Sequence, residues 1–466
     1  MKILFATAEL APIARVGGLA EAAAGLVRQL RADGETVDVV LPDYSGTALD
    51  GERKSELRVP DWAGGTARIR RGVHPVAGPV TLVTTAGIPR PNPYVDATGE
   101  GWLDNDVRFF GFAAAVAALA AAERPDVLHL NDWHTAAVPA WLAELPPTVF
   151  TIHTLGHQGV ADIDWLGRMA HRSEAYEGFA VTNPMLGAIR LADRVIAVSP
   201  TYAREVVTPA HGMGLDGELA ARGEALVGIR NGIDAEEWNP AVDSHVASTY
   251  DAATVAAGKA ACRAALLGRA RFGGPTVAAD EPLLGVVSRL VHQKGIDLVL
   301  ETVPFLHHLG ARLVVLGAGE AGLAGGLRYL AEVHPDRLAF VEGYDPELAH
   351  QVFAGADLFV MPSRFEPCGL AQMQAMAYGT LPVVTDVGGL HDTVVDADAV
   401  PSRGTGIAAH VPSAAALTDA IWRAARLWRD EPRRRAAQRR GMTEDWSWRN
   451  PAAEHRALYQ AVTSGV

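Results

Sequence analysis

The run Leu358-Phe359-Val360-Met361-Pro362-Ser363-Arg364-Phe365-Glu366-Pro367-Cys368-Gly369-Leu370 passes from four apolar residues through a tight polar loop into the Ala-, Met- and Gln-rich segment from Ala371 to Tyr378. An apolar strand, a short loop and a helix in that order place the loop at a strand's carboxyl end, where open α/β sheets bind ligands. Glu366 stands at the mouth of the loop, and the backbone N–H groups of Gly369 and Leu370 open the helix beside it. A carboxylate that grips hydroxyls, next to N–H groups that meet anionic oxygens, suits a nucleotide sugar. A capped strand-to-helix turn uses the same residue types, because Ser and Glu are common before helices.

At 466 residues the chain exceeds one ordinary core, and two domains of roughly 200 residues each are expected. With 49% hydrophobic and 20% charged residues the composition is that of a soluble globular protein. The longest apolar run, Phe109 to Ala122, stops at Glu123. It is shorter than the ~20 residues that span a bilayer, so a buried Ala-rich helix and no membrane contact are expected. The segment from Met1 to Glu9 reads as a first β-strand, since an acid follows its short apolar core and no cleavage site is evident. Cys262 and Cys368 lie too far apart in sequence for a disulfide framework, which fits a reducing cytoplasm. The net charge of −13 argues against nucleic acid as a partner. An anionic ligand must therefore be held by a few local cations.

Along the chain, strand, glycine loop and helix recur. The first strand enters Arg15-Val16-Gly17-Gly18-Leu19, where the glycines let the backbone approach a ligand and the helix start offers amides to phosphate. Glu35 to Pro42 reads as the next strand of a parallel sheet. Residues 51–95, rich in Gly, Pro and Thr with short alternating strands, read as an insertion rather than part of the parallel core. The strands Pro125 to Leu130 and Thr148 to His153 end in Asn131-Asp132-Trp133-His134 and in His153-Thr154-Leu155-Gly156, delivering Asp132, His134 and His153 to one sheet edge. Another strand, Arg194 to Val198, precedes Ser199-Pro200, and Ala/Ser-rich sequence after Trp238-Asn239-Pro240 suggests a hinge near residues 240–250.

The second half restarts the pattern. Leu283 to Ser288 is a strand, and Arg289 and Lys294 in its loop supply two positive charges for a diphosphate. Arg312 to Leu316 leads into Gly317-Ala318-Gly319, and Leu381 to Val387 leads into Gly388-Gly389. Such repeats in both halves mean two Rossmann-like domains.

Together these motifs resemble those of the bacterial glycogen and starch synthase family of retaining glycosyltransferases, in the family's order and over almost the whole chain, ending with Trp446-Ser447-Trp448. The resemblance implies the GT-B architecture, two Rossmann-like domains facing across a deep cleft. Residues 1–243 would form the acceptor-side domain and 244–445 the nucleotide-sugar domain, with 446–466 a helix returning to the first. It further implies that Arg289 and Lys294 bind the donor diphosphate, that Glu366 and the backbone of Cys368, Gly369 and Leu370 hold the donor sugar, and that His153 lies beside the anomeric carbon. Arg15, Gly17, Gly18, Gly317, Gln374, Gly388 and Gly389 complete the expected donor-binding set. The expected acceptor side is Asp132, His134, Thr154 and Leu186.

Breaking a sugar–phosphate bond builds positive charge on the anomeric carbon and negative charge on the leaving diphosphate, which calls for cations and hydroxyl-gripping acceptors. With Arg289 and Lys294 in place no metal or other cofactor is expected, and Asp162/Asp164 and Asp396/Asp398 read as loop acids. Departures from the family pattern fall in the first half. Arg15 stands for a Lys, Ala20-Glu21 for Gly-Asp, Thr154 for an Asn and Leu186 for a Lys. The expected reaction is therefore extension of an α-1,4-glucan from ADP-glucose, with two alternatives. One is a specialised transferase or pseudoglycosyltransferase joining an activated cyclitol to an amino-sugar acceptor, and the other is an inactive glucan-binding protein.

Overall fold

The computed structural model describes residues 1–96, 99–273, 278 and 280–465. The chain divides into two compact units, one of residues 1–232 with 448–466 and the other of residues 233–447.

In the first unit the strands are Lys2–Ala6 (β1), Thr36–Pro42 (β2), Asp50–Arg58 (β3), Thr66–His74 (β4), Gly78–Thr84 (β5), Val127–Asn131 (β6) and Thr148–Ile152 (β7). A two-stranded hairpin, Glu177–Gly178 (β8) with Val181–Thr182 (β9), stands apart, and Arg194–Ala197 (β10) and Leu226–Gly228 (β11) complete the set. The main sheet runs β11-β10-β7-β6-β1-β2-β5-β4-β3. Every residue of β6 and β7 is buried, as in parallel strands covered on both faces, and the polar His129 and Thr151 among them lie within hydrogen-bond distance of each other at 2.7 Å. Strand order reverses between β1 and β6, so the carboxyl ends of those two strands frame the crevice where such sheets bind ligands.

The expectation for residues 51–95 is corrected here. β5 pairs parallel with β2, and β4 and β3 extend the same sheet antiparallel. The Gly78-Pro79 start masks the apolar Val80-Thr81-Leu82-Val83, all buried. The first long helix, Gly18–Ala32, is α1, and the second, Asn105–Glu123, is α2. Helix α2 is long and apolar enough to cross a membrane, but 67% of that window is buried inside the protein. The last helix, Arg449–Ser464, packs on α1. The Trp448 indole fills the space beside Gly25, where an added Cβ would lie 2.0 Å from Nε1.

The second unit holds Leu283–Val287 (β12), Arg312–Gly317 (β13), Leu338–Glu342 (β14), Leu358–Met361 (β15), Leu381–Thr385 (β16) and Ile407–Ala409 (β17), all parallel in the order β14-β13-β12-β15-β16-β17. Here the reversal lies between β12 and β15. That reversal brings the loop after Val287 beside the loop after Met361.

The boundary falls at 232/233 rather than 243/244, and the return at 447/448 rather than 445/446. The physical reason is a buried polar cluster. Asp243 Oδ2 lies 2.8 Å from His350 Nδ1 and 2.5 Å from the Tyr378 hydroxyl, and Trp238 stacks on His350 at 4.1 Å. Tyr250 adds a hydrogen bond from its hydroxyl to the Tyr378 carbonyl at 2.9 Å. Residues 238–250 are thus anchored inside the second unit, and the hinge expected there is not a free linker.

Candidate functional site

In the second unit, the loop after β12 and the loop after β15 are joined at several points. Gly295 adopts φ +67, and an added Cβ would lie 2.1 Å from the Pro362 carbonyl oxygen, so only glycine admits this approach. Arg364 N–H donates to the Gln293 carbonyl at 2.9 Å, and the Arg364 guanidinium grips Asp297 with two bonds of 2.7 and 2.6 Å. That fork, the largest cause, holds the Asp297 carboxyl below its ordinary range. Across the joined loops Lys294 Nζ donates to Glu366 Oε2 at 2.6 Å, and the Ser363 hydroxyl donates to the same oxygen at 2.9 Å. Glu366 is buried.

The glycine loops close around this pair. An added Cβ at Gly317 would lie 2.2 Å from the Ser288 carbonyl, and one at Gly389 would lie 2.1 Å from the Cys368 carbonyl. Gly389 N–H donates to the Glu366 carbonyl at 3.0 Å. Gly369 and Gly388 both have positive φ, +74 and +45. The helix Ala371–Ala377 starts directly after Leu370 with no side-chain cap, and Gln374 on it is buried. Cys368 is a buried thiol. Arg289 is exposed, and its guanidinium has no hydrogen bond or ion pair among the described residues. The expected donor-side residues of this half therefore gather at one switch point. Ser363, Arg364 and Asp297 escaped sequence reasoning, although Arg364 lies within the decisive loop.

The first unit gathers a second cluster at its own switch point. Asp132 follows β6 with φ +53, a conformation a non-glycine residue rarely adopts. Its Oδ1 accepts the His153 N–H at 2.7 Å and the Thr154 N–H at 3.4 Å. Burial, partly offset by those two N–H groups, pushes the Asp132 carboxyl up to about 7. His153 Nε2 lies 3.0 Å from Asn131 Oδ1, and burial, with His455 as a smaller contributor, lowers its pKa to about 3. The ring is neutral at physiological pH. His134 is buried among Trp133, Phe109 and Tyr94, with ring centroids 4.3, 4.6 and 4.9 Å away, and its Nδ1 has no partner among the described residues.

Several groups expected at this site have partners inside the first unit. The Gly17 amide is not free for phosphate, because Glu9 Oε2 accepts both Val16 N–H and Gly17 N–H, at 2.7 and 2.8 Å. Tyr94 donates its hydroxyl to Glu9 Oε1 at 2.7 Å. Arg15 is paired with Glu21 at 2.8 Å, on the helix that Gly18 begins. Leu186 is 2% exposed and lies under Gly178, where an added Cβ would meet its Cδ2 at 2.6 Å, so it offers no surface to a ligand. The Thr154 hydroxyl accepts from Gly156 N–H at 3.1 Å, closing a local turn. Glu9, Tyr94 and Asn131 are the residues missed here: Tyr94 and Asn131 meet partners 85 and 22 positions away, and Glu9 meets Val16 and Gly17 because the loop between them folds back.

Among the described residues no group of three or more His, Cys, Asp or Glu is placed to hold a metal ion. Asp162 caps Asp164 N–H, and Asp396 accepts the N–H groups of Asp398, Ala399 and Ala408 and a bond from the Arg423 guanidinium, while Asp398 pairs with Arg433.

Residues 2–221 match the family described as starch synthase catalytic domain, and residues 272–441 match glycosyl transferases group 1. A glycogen synthase of Halorhodospira halophila is 41% identical over 488 residues, covering 100% of this chain and 99% of the relative. The chain belongs to the glycogen synthase family. A second relative, from Acidiphilium cryptum, is 41% identical over 485 residues, with all of both chains covered. Among solved structures, the catalytic domain of starch synthase IV from Arabidopsis thaliana, bound to ADP and acarbose, superposes with a TM-score of 0.88 at 29% identity over 99% of each chain. A sucrose-phosphate synthase from Thermosynechococcus elongatus, with a TM-score of 0.65 at 20% identity, shares the fold. The protein is thus a nucleotide-sugar-dependent glycosyltransferase of two Rossmann-like units, as its motifs lead one to expect.

Proposed function

We propose that the protein transfers glucose from ADP-glucose to the non-reducing end of an α-1,4-glucan, with retention at the anomeric carbon. The observation that carries this reading is the pairing of buried Glu366 with Lys294 at the switch point of the second unit, with Arg289 on the same loop as Lys294 and its guanidinium unpaired among the described residues. The ADP and acarbose bound by the Arabidopsis starch synthase support the choice of nucleotide and of a glucan-like partner.

In this reading Arg289 and Lys294 take up the charge that grows on the diphosphate as the bond to the anomeric carbon breaks. Glu366 accepts hydrogen bonds from sugar hydroxyls. Neutral His153 contributes a hydrogen bond rather than a proton, given its low pKa. Asp132 is an unsuitable nucleophile, since its Oδ1 is engaged by two backbone amides and burial favours its protonated form. The acceptor hydroxyl therefore attacks from the side the diphosphate leaves, its proton passing to a departing phosphate oxygen. No metal is needed, and the reaction is placed in the cytoplasm, where the two free thiols stay reduced.

Incubation with ADP-glucose and maltoheptaose, followed by product analysis, tests the proposal. Lengthened chains and released ADP are expected. Donor turnover without chain extension would reassign the acceptor to a small, non-glucan sugar.

A further inference from the structure

We propose that Asn131 is a positioning residue that holds His153 in its Nε2–H tautomer, leaving Nδ1 as a hydrogen-bond acceptor for a substrate hydroxyl. The inference deepens the transferase reading and rests on it for the identity of that hydroxyl. The tautomer itself follows from geometry.

Asn131 ends β6 and lies opposite Thr151 in β7, with His153 two residues further on. The period of two along a strand puts Asn131, Thr151 and His153 on one sheet face. There they line a small cavity with Phe5, Trp448 and His455. Asn131 is 1% exposed, and its amide has one possible orientation. Nδ2 lies 3.0 Å from the Ala6 carbonyl oxygen, which can only accept, so the NH2 group must face β1. The amide oxygen then faces His153 Nε2 at 3.0 Å. An acceptor at that distance requires a proton on Nε2.

A neutral imidazole carries one N–H, so Nδ1 keeps its lone pair. His153 Nδ1 has no hydrogen-bond partner among the described residues. The strand end that carries Asn131 is itself pinned. Asn131 N–H donates to the Thr135 hydroxyl at 2.7 Å, and that hydroxyl returns to the Asn131 carbonyl at 3.0 Å. The other titratable groups near His153 are Asp132, which holds its backbone N–H, His129, whose Nε2 lies 2.7 Å from the Thr151 hydroxyl, and His455 on the last helix, whose own pKa is lowered to about 4 by burial. None supplies an alternative partner for Nε2. Reversing the tautomer would set two lone pairs against each other at Nε2 and turn an N–H toward the substrate.

The test is 15N NMR of the protein labelled at histidine ring nitrogens, with His153→Gln identifying the His153 signals. Wild-type His153 should show a protonated Nε2 and an unprotonated Nδ1. Asn131→Leu should lose that bias and lower kcat roughly 10-fold, the effect of one lost positioning hydrogen bond, with a smaller change in KM for the donor. The ring pattern is a readout that a purely packing role for Asn131 would not move. A wild-type His153 protonated at Nδ1, or a ring pattern and kcat unchanged in Asn131→Leu, overturns the proposal. If the Asn131→Leu variant does not fold, the wild-type spectrum decides. Because the spectra are recorded without substrate, they test the tautomer independently of the donor and acceptor.

Discussion

Lys294 Nζ and Glu366 Oε2 lie 2.6 Å apart although the residues are 72 positions apart in sequence, and their side chains are only 17% and 6% exposed. The reversal of strand order between β12 and β15 makes this possible, because it sets the two loops side by side. A buried ion pair is a weak source of net stability, but removing one partner strands the other charge. Lys294→Ala should therefore destabilise the protein by about 3 kcal/mol and lower turnover by roughly 10²-fold or more. Adding Glu366→Gln should recover much of the stability and none of the activity. Urea midpoints and turnover of the single and double variants check this, and additive stability losses would contradict the pairing.

Arg289 separates charge from structure. Its exposed guanidinium has no partner among the described residues, so Arg289→Ala should leave stability within about 0.5 kcal/mol of wild type. Turnover should nevertheless fall roughly 10²-fold through lost charge stabilisation on the diphosphate. In the proposed mechanism these cations stand where a metal would, so treatment with EDTA should leave activity intact. Near-normal kcat in the variant, or a loss in EDTA that Mg²⁺ or Mn²⁺ restores, would count against this assignment.

Asp132 gives a pH dependence with a definite sign. Its folded-state pKa is raised to about 7 by burial, above that of the unfolded chain. The folded protein therefore binds more protons than the unfolded one between the ordinary aspartate range and pH 7. The stability this group contributes is fully present below the unfolded pKa and is lost as pH rises through about 7. Asn keeps the acceptor for the His153 and Thr154 N–H groups without ionising. The melting temperature of Asp132→Asn relative to wild type should accordingly rise between about pH 4 and pH 7. A constant difference across that range would refute the raised pKa.

Gly25 and Trp448 report on the last helix. An added Cβ at Gly25 would lie 2.0 Å from the Trp448 Nε1, inside a packed ring system. Gly25→Ala should cost about 1–3 kcal/mol from overpacking, despite alanine's better helix propensity. Trp448→Phe should relieve part of that cost in the double variant. A Gly25→Ala variant whose urea midpoint equals that of wild type would mean that the last helix yields at this contact.

Much of the fold was legible because burial on both faces of a parallel strand leaves a continuous apolar run, as in Leu283 to Val287 and Leu358 to Met361. The short strands Leu226–Gly228 and Ile407–Ala409 were not, since three residues carry no periodicity. The place of Gly78–Thr84 beside β2 in the parallel sheet was hidden, because its Gly-Pro start reads as a loop.

Residue order alone was enough for the α/β class, for the glycine loops at strand ends, and for Arg289, Lys294, Glu366, Asp132 and His153 as the groups on those loops. Local composition sets a residue's place along its own strand or loop, and that is all these readings needed. Which loops meet required the folded chain, because strand order is a non-local property that no local pattern encodes. Folding turned Asn131 toward His153, engaged the Val16 and Gly17 amides with Glu9, buried Leu186 and drew residues 238–250 into the second unit. For Asn131 and Asp243 a buried polar group had to be satisfied by His153 and His350, 22 and 107 positions away, and for the Glu9 and Leu186 contacts the chain had to fold back on itself; only tertiary packing brings such groups within reach.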